Sequence, residues 1–338
     1  MRFYIPQLDG LRFLAFLSVF IGHAAPAATY VGTAAGLELF FVLSSYLITA
    51  LLVRESDATG RINVLAFWAR RALRIWPLYF SFLFANAIVA GMPDRALVAF
   101  ALFAGNWVED PGPGPIAHLW SVSVEEQFYV AWPLVLTVLP RSLLRPACVA
   151  LVVVAVAGRY GLYLAGVSVG AAWFNSVAHL DALGLGALIA LAPRVELCPA
   201  ARGVLGASAP LVVLAVAVVL WRWLLAPPAS NPVAMAPAVV TLAFLGASLA
   251  CGGALVAALA GSAWLSHPAL VYLGRISYGL YVFHMAAIHV VSAWWWPYKL
   301  PAAFALTLAL AAVSYHSLER PFLRLKARYT SVRTAPAP

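Results

Sequence analysis

Charge is what this chain has least of. Of its 338 residues, 10% are Asp, Glu, Lys or Arg and 64% are hydrophobic, whereas a soluble domain carries about a quarter charged. That imbalance excludes a soluble globular protein. Cysteine is scarce too: Cys148, Cys198 and Cys251 are isolated, odd in number, and inside or beside apolar blocks. Neither a disulfide framework nor a metal knuckle is encoded, and no metal is expected. Long polar stretches are missing, which leaves no soluble domain of useful size. The net charge of +9 excludes little by itself. Its arginines and lysines, however, lie scattered at the ends of apolar blocks, where orientation signals belong, and not in the patches that bind nucleic acid.

What is present is a succession of apolar blocks separated by short polar breaks, and about 20 residues suffice to cross a hydrocarbon core of roughly 30 Å. Spanning helices are expected near 12–27, 36–53, 76–91, 121–140, 146–165, 174–192, 204–226, 234–258, 276–294 and 301–318. The fold class is therefore an all-α integral membrane protein of about ten spans in one bundle. The apolar piece at 95–107 is too short to cross and is read as interfacial or re-entrant. With both termini cytoplasmic, most Arg and Lys fall inside, leaving Arg95, Arg159, Arg222 and Lys299 toward the outer side. Trp294, Trp295 and Trp296 suit an outer aromatic belt, and PPASNP at 227–232 reads as a turn. Residues 1–330 are expected to form one transmembrane domain and 331–338 a short disordered cytoplasmic tail. The N-terminal stretch imitates a secretory signal peptide, but its apolar run holds His23 and many spans follow, so it is read as the first span.

An ionisable side chain at bilayer depth costs roughly 2.5–3.5 kcal/mol on insertion scales, so such groups usually face a cavity and work there. Arg12 and His23 are eleven positions apart, three turns plus roughly 20°, which puts both on one face and about 16 Å apart along the axis. The short connection into GLELFFVLSSYLIT is expected to bring Glu38 down beside His23, where a carboxylate would fix the imidazole tautomer. In FWARRALRIWPLYF, Arg70, Arg71 and Arg74 cluster at the spacing of one helical face, and guanidinium forks suit phosphate. HLWSVSVEEQFY sets His118, Ser121 and Glu125 on one stripe with Glu126 turned about 100° away. Adjacent carboxylates repel in a low dielectric, which suits one of them to the role of an acid. SYGLYVFH aligns Ser277, Tyr281 and His284, while Asp181 lies among small residues in HLDALGLGALIA and Glu319 adjoins Arg320.

Six blocks in order resemble the acyltransferase 3 family over nearly the whole chain: LDGLRFLAFLSVFIGHA at 8–24, GLELFFVLSSYLIT at 36–49, RRALRIWPLY at 70–79, HLWSVSVEEQFY at 118–129, SYGLYVFH at 277–284 and SLERP at 317–321. The resemblance implies a multi-pass enzyme of the bacterial cytoplasmic (inner) membrane that moves acyl groups, often acetyl, onto hydroxylated acceptors. Residue by residue it implies a catalytic His23 partnered by Arg12, donor contacts from Arg71 and Arg74, and an essential acidic pair at Glu125 and Glu126. Two departures stand out: Glu38 where the family usually has Asp, and Ser45-Tyr46 where it has Gly-Phe. Members fused to a secreted hydrolase-like domain need far more chain, so the one-domain form is expected.

On this reading the catalytic residues are His23, Glu38, Glu125 and Glu126. Arg12, Arg70, Arg71 and Arg74 hold the acyl-CoA donor, acetyl-CoA first, and His118, Ser121, Tyr281 and His284 contact substrate. His23 takes either the acyl group or the proton of the acceptor hydroxyl, and the residues leave both routes open. The acceptor is expected to be a cell-surface or lipid-linked polysaccharide, with a small antibiotic such as a macrolide second. A multi-span transporter is the rival class, since transporters also bury His, Glu, Asp and Arg.

Overall fold

The computed structural model describes residues 4–24, 30–108, 114–192, 237–293, 296–326 and 329. The expected span at 204–226, the PPASNP turn, Cys198, Arg222, Trp294, Trp295 and the tail at 331–338 lie outside the described residues. Every regular element described is helical. In chain order these are α1 (Pro6–Ala24), α2 (Tyr30–Thr59), α3 (Val64–Ala90), α4 (Asp94–Ala101), α5 (Trp120–Val138), α6 (Arg141–Leu164) and α7 (Val169–Trp173). They continue as α8 (Leu180–Leu191), α9 (Pro237–Leu259), α10 (Pro268–Arg275), α11 (Ser277–Val290), α12 (Trp296–Ser314) and α13 (Arg320–Lys326).

Among the described residues five helices are long and apolar enough to cross a membrane: Ala34–Thr59, Val64–Ala90, Arg141–Leu164, Pro237–Leu259 and Tyr298–Lys326. The remaining expected spans within the described residues coincide with α1 and α5, of 19 residues each, α8 with 12 and α11 with 14. The short ones have a local cause. The side chain of Asn175 caps a 3-10 turn at Ser176–His179, so regular α-helix starts only at Leu180. The last long helix does not stop near 318 but passes through a π-helical turn, Tyr315–Glu319, into α13.

The described chain divides into two compact units. The first takes the described residues within Met1–Tyr4, Leu51–Pro140 and Ile276–Pro338, and the second those within Ile5–Ala50 and Arg141–Arg275. In the first unit α3 starts on Asn63, whose side chain accepts the Ala66 N–H at 3.0 Å. Pro133 inside α5 has no N–H to give the Tyr129 carbonyl, and the Trp68 indole fills the vacancy at 3.0 Å. Without water at that depth such a carbonyl must be satisfied internally.

In the second unit α8 is the hub, packed against α6 and α9. A Cβ on Gly186 would run into the Val42 carbonyl, so only glycine lets α2 and α8 approach this closely. Ser45 donates to the Leu183 carbonyl at the same crossing, which gives the first half of the Ser45-Tyr46 departure a packing role. Arg145 donates from Nε and a terminal nitrogen to the Leu191 carbonyl at 3.1 and 2.7 Å, closing the C-terminus of α8.

Candidate active site

In the first unit the site is built on α3 and α5. Glu126 is buried, with 6% of its surface exposed. The Trp76 indole N–H donates to its Oε2 at 3.3 Å, and its buried Oε1 has no hydrogen-bond partner among the described residues. Leaving such an atom unmet costs about 1–3 kcal/mol, more for a charged group. Glu125, the next residue, is half-buried, and the charges of Glu125 and Arg71 both act on Glu126. The Arg71 guanidinium lies over the rings of Phe67 and Tyr129 at 5.4 and 5.3 Å.

The three clustered arginines part company. Arg70 donates to Glu55 Oε2 at 2.9 Å and to the Tyr329 carbonyl at 2.7 Å, while Glu55 Oε1 accepts the Asn63 N–H. Arg70 is thus tied into the foot of α3. Arg74 is the cation acting on Glu319, whose Oε1 accepts from Ser314 at 3.2 Å. Glu319 itself lies in the π-helical turn Tyr315–Glu319.

His118, Ser121, Tyr281 and His284 do come together. His118 sits in a 3-10 turn, Ala117–Leu119, that leads into α5. The Tyr281 hydroxyl and Ser121 Oγ lie 2.6 Å apart, and both reach the His118 carbonyl, at 2.9 and 3.3 Å. His118 Nε2 and His284 Nδ1 face the carbonyls of Val282 and Tyr281 at 3.2 and 2.6 Å. A carbonyl only accepts, so each of those nitrogens carries a proton. The two rings stand nearly perpendicular with centroids 4.8 Å apart.

In the second unit Arg12 and His23 lie on α1, and both are half-buried. Glu38 is fully buried, and the imidazole against it is His179 and not His23: Nδ1 lies 2.8 Å from Glu38 Oε1, and Ser248 donates to Oε2 at 3.3 Å. His179 Nε2 donates to the Trp173 carbonyl at 2.7 Å, so the contact to Glu38 holds a second proton, shared between imidazole and carboxylate. Beside them Arg159 donates to both oxygens of Asp181 at 3.1 and 3.0 Å, to the Ala178 carbonyl, and stacks 5.0 Å from the Phe244 ring centroid. Arg159, read from the sequence as an outer-edge charge, has 1% of its surface exposed. One carboxylate, one guanidinium and a carboxylate–imidazole pair that is neutral as a whole leave this cluster formally neutral, which is how charges survive burial.

Arg159 and His179 are the residues that sequence reasoning missed. The signal for Arg159 was its place inside an apolar block, where a partner must exist. That partner, Asp181, was visible in HLDALGLG without being joined to it.

Helices long and apolar enough to cross a membrane, with carboxylates, imidazoles and guanidiniums buried among them, define the class as a membrane protein. The sequence model of a family described as an acyltransferase domain matches residues 5–316. The chain belongs to the acyltransferase 3 family, whose description is that of enzymes transferring acyl groups. "Putative O-acetyltransferase SACOL0978" of Staphylococcus aureus (strain COL) is 28% identical over 357 aligned residues, covering 94% of this chain and 57% of that protein. "Putative O-acetyltransferase SAS0844" of Staphylococcus aureus (strain MSSA476) is 27% identical over the same shares. "O-acetyltransferase OatA" of Staphylococcus aureus (strain NCTC 8325 / PS 47) is 35% identical over 165 residues, 42% of this chain and 27% of that protein. The chain thus spans little more than half the length of the curated relatives it matches along most of its own. No solved structure matches it.

Proposed function

We propose that this chain is a membrane O-acyltransferase that moves an acyl group, acetyl first, from cytoplasmic acyl-CoA to a hydroxyl of a cell-surface or lipid-linked polysaccharide. The match of residues 5–316 to an acyltransferase domain carries this reading, and relatives named as O-acetyltransferases support the acyl group and the oxygen acceptor. Arg71 and Arg74 in the first unit are donor-binding cations, their guanidinium forks suited to the phosphates of CoA, and the family resemblance by itself gives Arg12 of the second unit that role. Arg70 and Glu38, whose polar atoms are taken by neighbours, serve the fold.

His23 removes the proton from the acceptor hydroxyl. The oxygen attacks the thioester carbonyl, the carbon–sulfur bond breaks, and the CoA thiolate leaves and takes up a proton. Glu126 accepts a substrate O–H or N–H through Oε1 and fixes its direction, with Glu125 beside it. His118, Ser121, Tyr281 and His284 line the acceptor's approach. The test is CoA-thiol release and O-acetyl incorporation by protein reconstituted in vesicles with acetyl-CoA and a hydroxylated glycan. Wild type is expected to show both, and His23→Ala neither while remaining folded. Substrate uptake without CoA-thiol release would overturn the enzyme in favour of a transporter.

A further inference from the structure

Non-helical backbone at membrane depth is tolerated only where protein or a polar cavity satisfies it. The first unit holds a non-helical turn whose backbone is satisfied in this way by protein. After α3 ends at Ala90, α4 doubles back along it, and the turn after α4 brings the Phe103 ring to Trp76, Tyr79 and Phe80, at centroid distances of 6.1, 4.8 and 5.9 Å. Tyr79 is eleven residues before the end of α3, about 16 Å of rise, so the chain after α4 folds back onto the middle of α3. Phe103 has φ 54°, the only non-glycine residue with positive φ among the described residues. A side chain in that conformation costs on the order of 1–2 kcal/mol, and it persists only where its surroundings hold it.

Two α5 residues one turn apart hold it. Gln127 uses both protons of its amide, donating to the Phe103 carbonyl at 2.9 Å and to Asn106 Oδ1 at 2.8 Å. Ser123 Oγ accepts the Gly105 N–H at 3.3 Å. A Cβ on Gly105 would stand 2.5 Å from the Phe100 ring, so the turn closes this tightly only with glycine there. The clasp ends on the residue adjoining Glu126 and wedges an aromatic ring behind Trp76, the indole that holds Glu126 Oε2.

We infer that Gln127 and the Phe103 turn are positioning residues for acyl transfer: they lock the Trp76 indole on one oxygen of Glu126, so that the other oxygen alone is presented to substrate. This rests on the acyltransferase reading above. Gln127→Ala leaves the Phe103 carbonyl unheld and lets the ring back away from Trp76. Trp76→Phe removes the indole N–H directly.

The test measures CoA-thiol release and hydrophobic-carbodiimide labelling of Glu126, read by mass spectrometry, in reconstituted wild type, both single variants and the double variant. Each single variant is expected to lose between roughly 10- and 100-fold in kcat, the effect of misplacing a catalytic group by about 1 Å, with KM for acetyl-CoA unchanged. The double variant is expected to be no worse than Trp76→Phe. Labelling of Glu126, which needs no substrate, should change by roughly threefold or more in both single variants, the worth of one hydrogen bond. Wild-type labelling in Gln127→Ala, or losses that multiply in the double variant, would overturn the inference. Shifted labelling with no CoA-thiol release from wild type would uphold the positioning and overturn the acyltransferase reading instead.

Discussion

Two buried carboxylates, Glu126 in one unit and Glu38 in the other, sit at nearly the same exposure, 6% and 0%, and differ in everything that surrounds them. Both oxygens of Glu38 are engaged, and its neighbours Asp181, Arg159 and His179 bring the local charge to zero. Glu126 has one oxygen held by Trp76 and one that nothing described meets. Saturation marks a group that holds helices together. An open valence, kept in place by a clasped turn, marks a group built to meet something else.

That contrast breaks first, and hardest, at Asp181. Asp181→Leu strands the Arg159 guanidinium in the core and should cost about 3–5 kcal/mol, seen as collapse of the thermal transition in detergent. Adding Arg159→Met to it should restore most of the loss, since a well-packed apolar pair replaces a buried ion pair at little cost. A next step down is His179→Phe, which leaves Glu38 only its Ser248 contact and should lower stability by about 1–3 kcal/mol in the same melts. In the other unit Tyr281→Phe removes the hydroxyl linking Ser121 to the His118 carbonyl. It should cost about 0.5–1.5 kcal/mol while raising KM for the glycan more than KM for acetyl-CoA. A similarly small effect is expected for Glu55→Gln, which keeps an acceptor beside Arg70 in a largely buried pair and should cost about 0.5–1.5 kcal/mol. Acyl-transfer kinetics should not move.

Much of this was legible in the sequence, and the reasons are local. Apolar blocks give helices, and spacing within one helix puts Arg12 and His23 together on α1. Blocks alone do not say where a helix starts, so α8 and α11 are shorter than their apolar runs, and a π-helical turn carries the last span onward. Pairings between helices were not legible. Glu38 and His179 lie 141 positions apart, and Gln127 reaches the 103–106 turn across 21 to 24 positions. Nothing in a periodic pattern reports such distances. Helical spacing groups Arg70 with Arg71 and Arg74, but it does not report that Glu55 holds Arg70.

The most direct test sets Glu126→Gln beside Glu38→Gln and measures CoA-thiol release per folded molecule. The account predicts that Glu126→Gln keeps the wild-type melting temperature and loses on the order of 10²-fold in rate, whereas Glu38→Gln melts earlier and turns over at the rate its folded fraction allows. A fully active Glu126→Gln, or a stably folded Glu38→Gln that is inert, would contradict it.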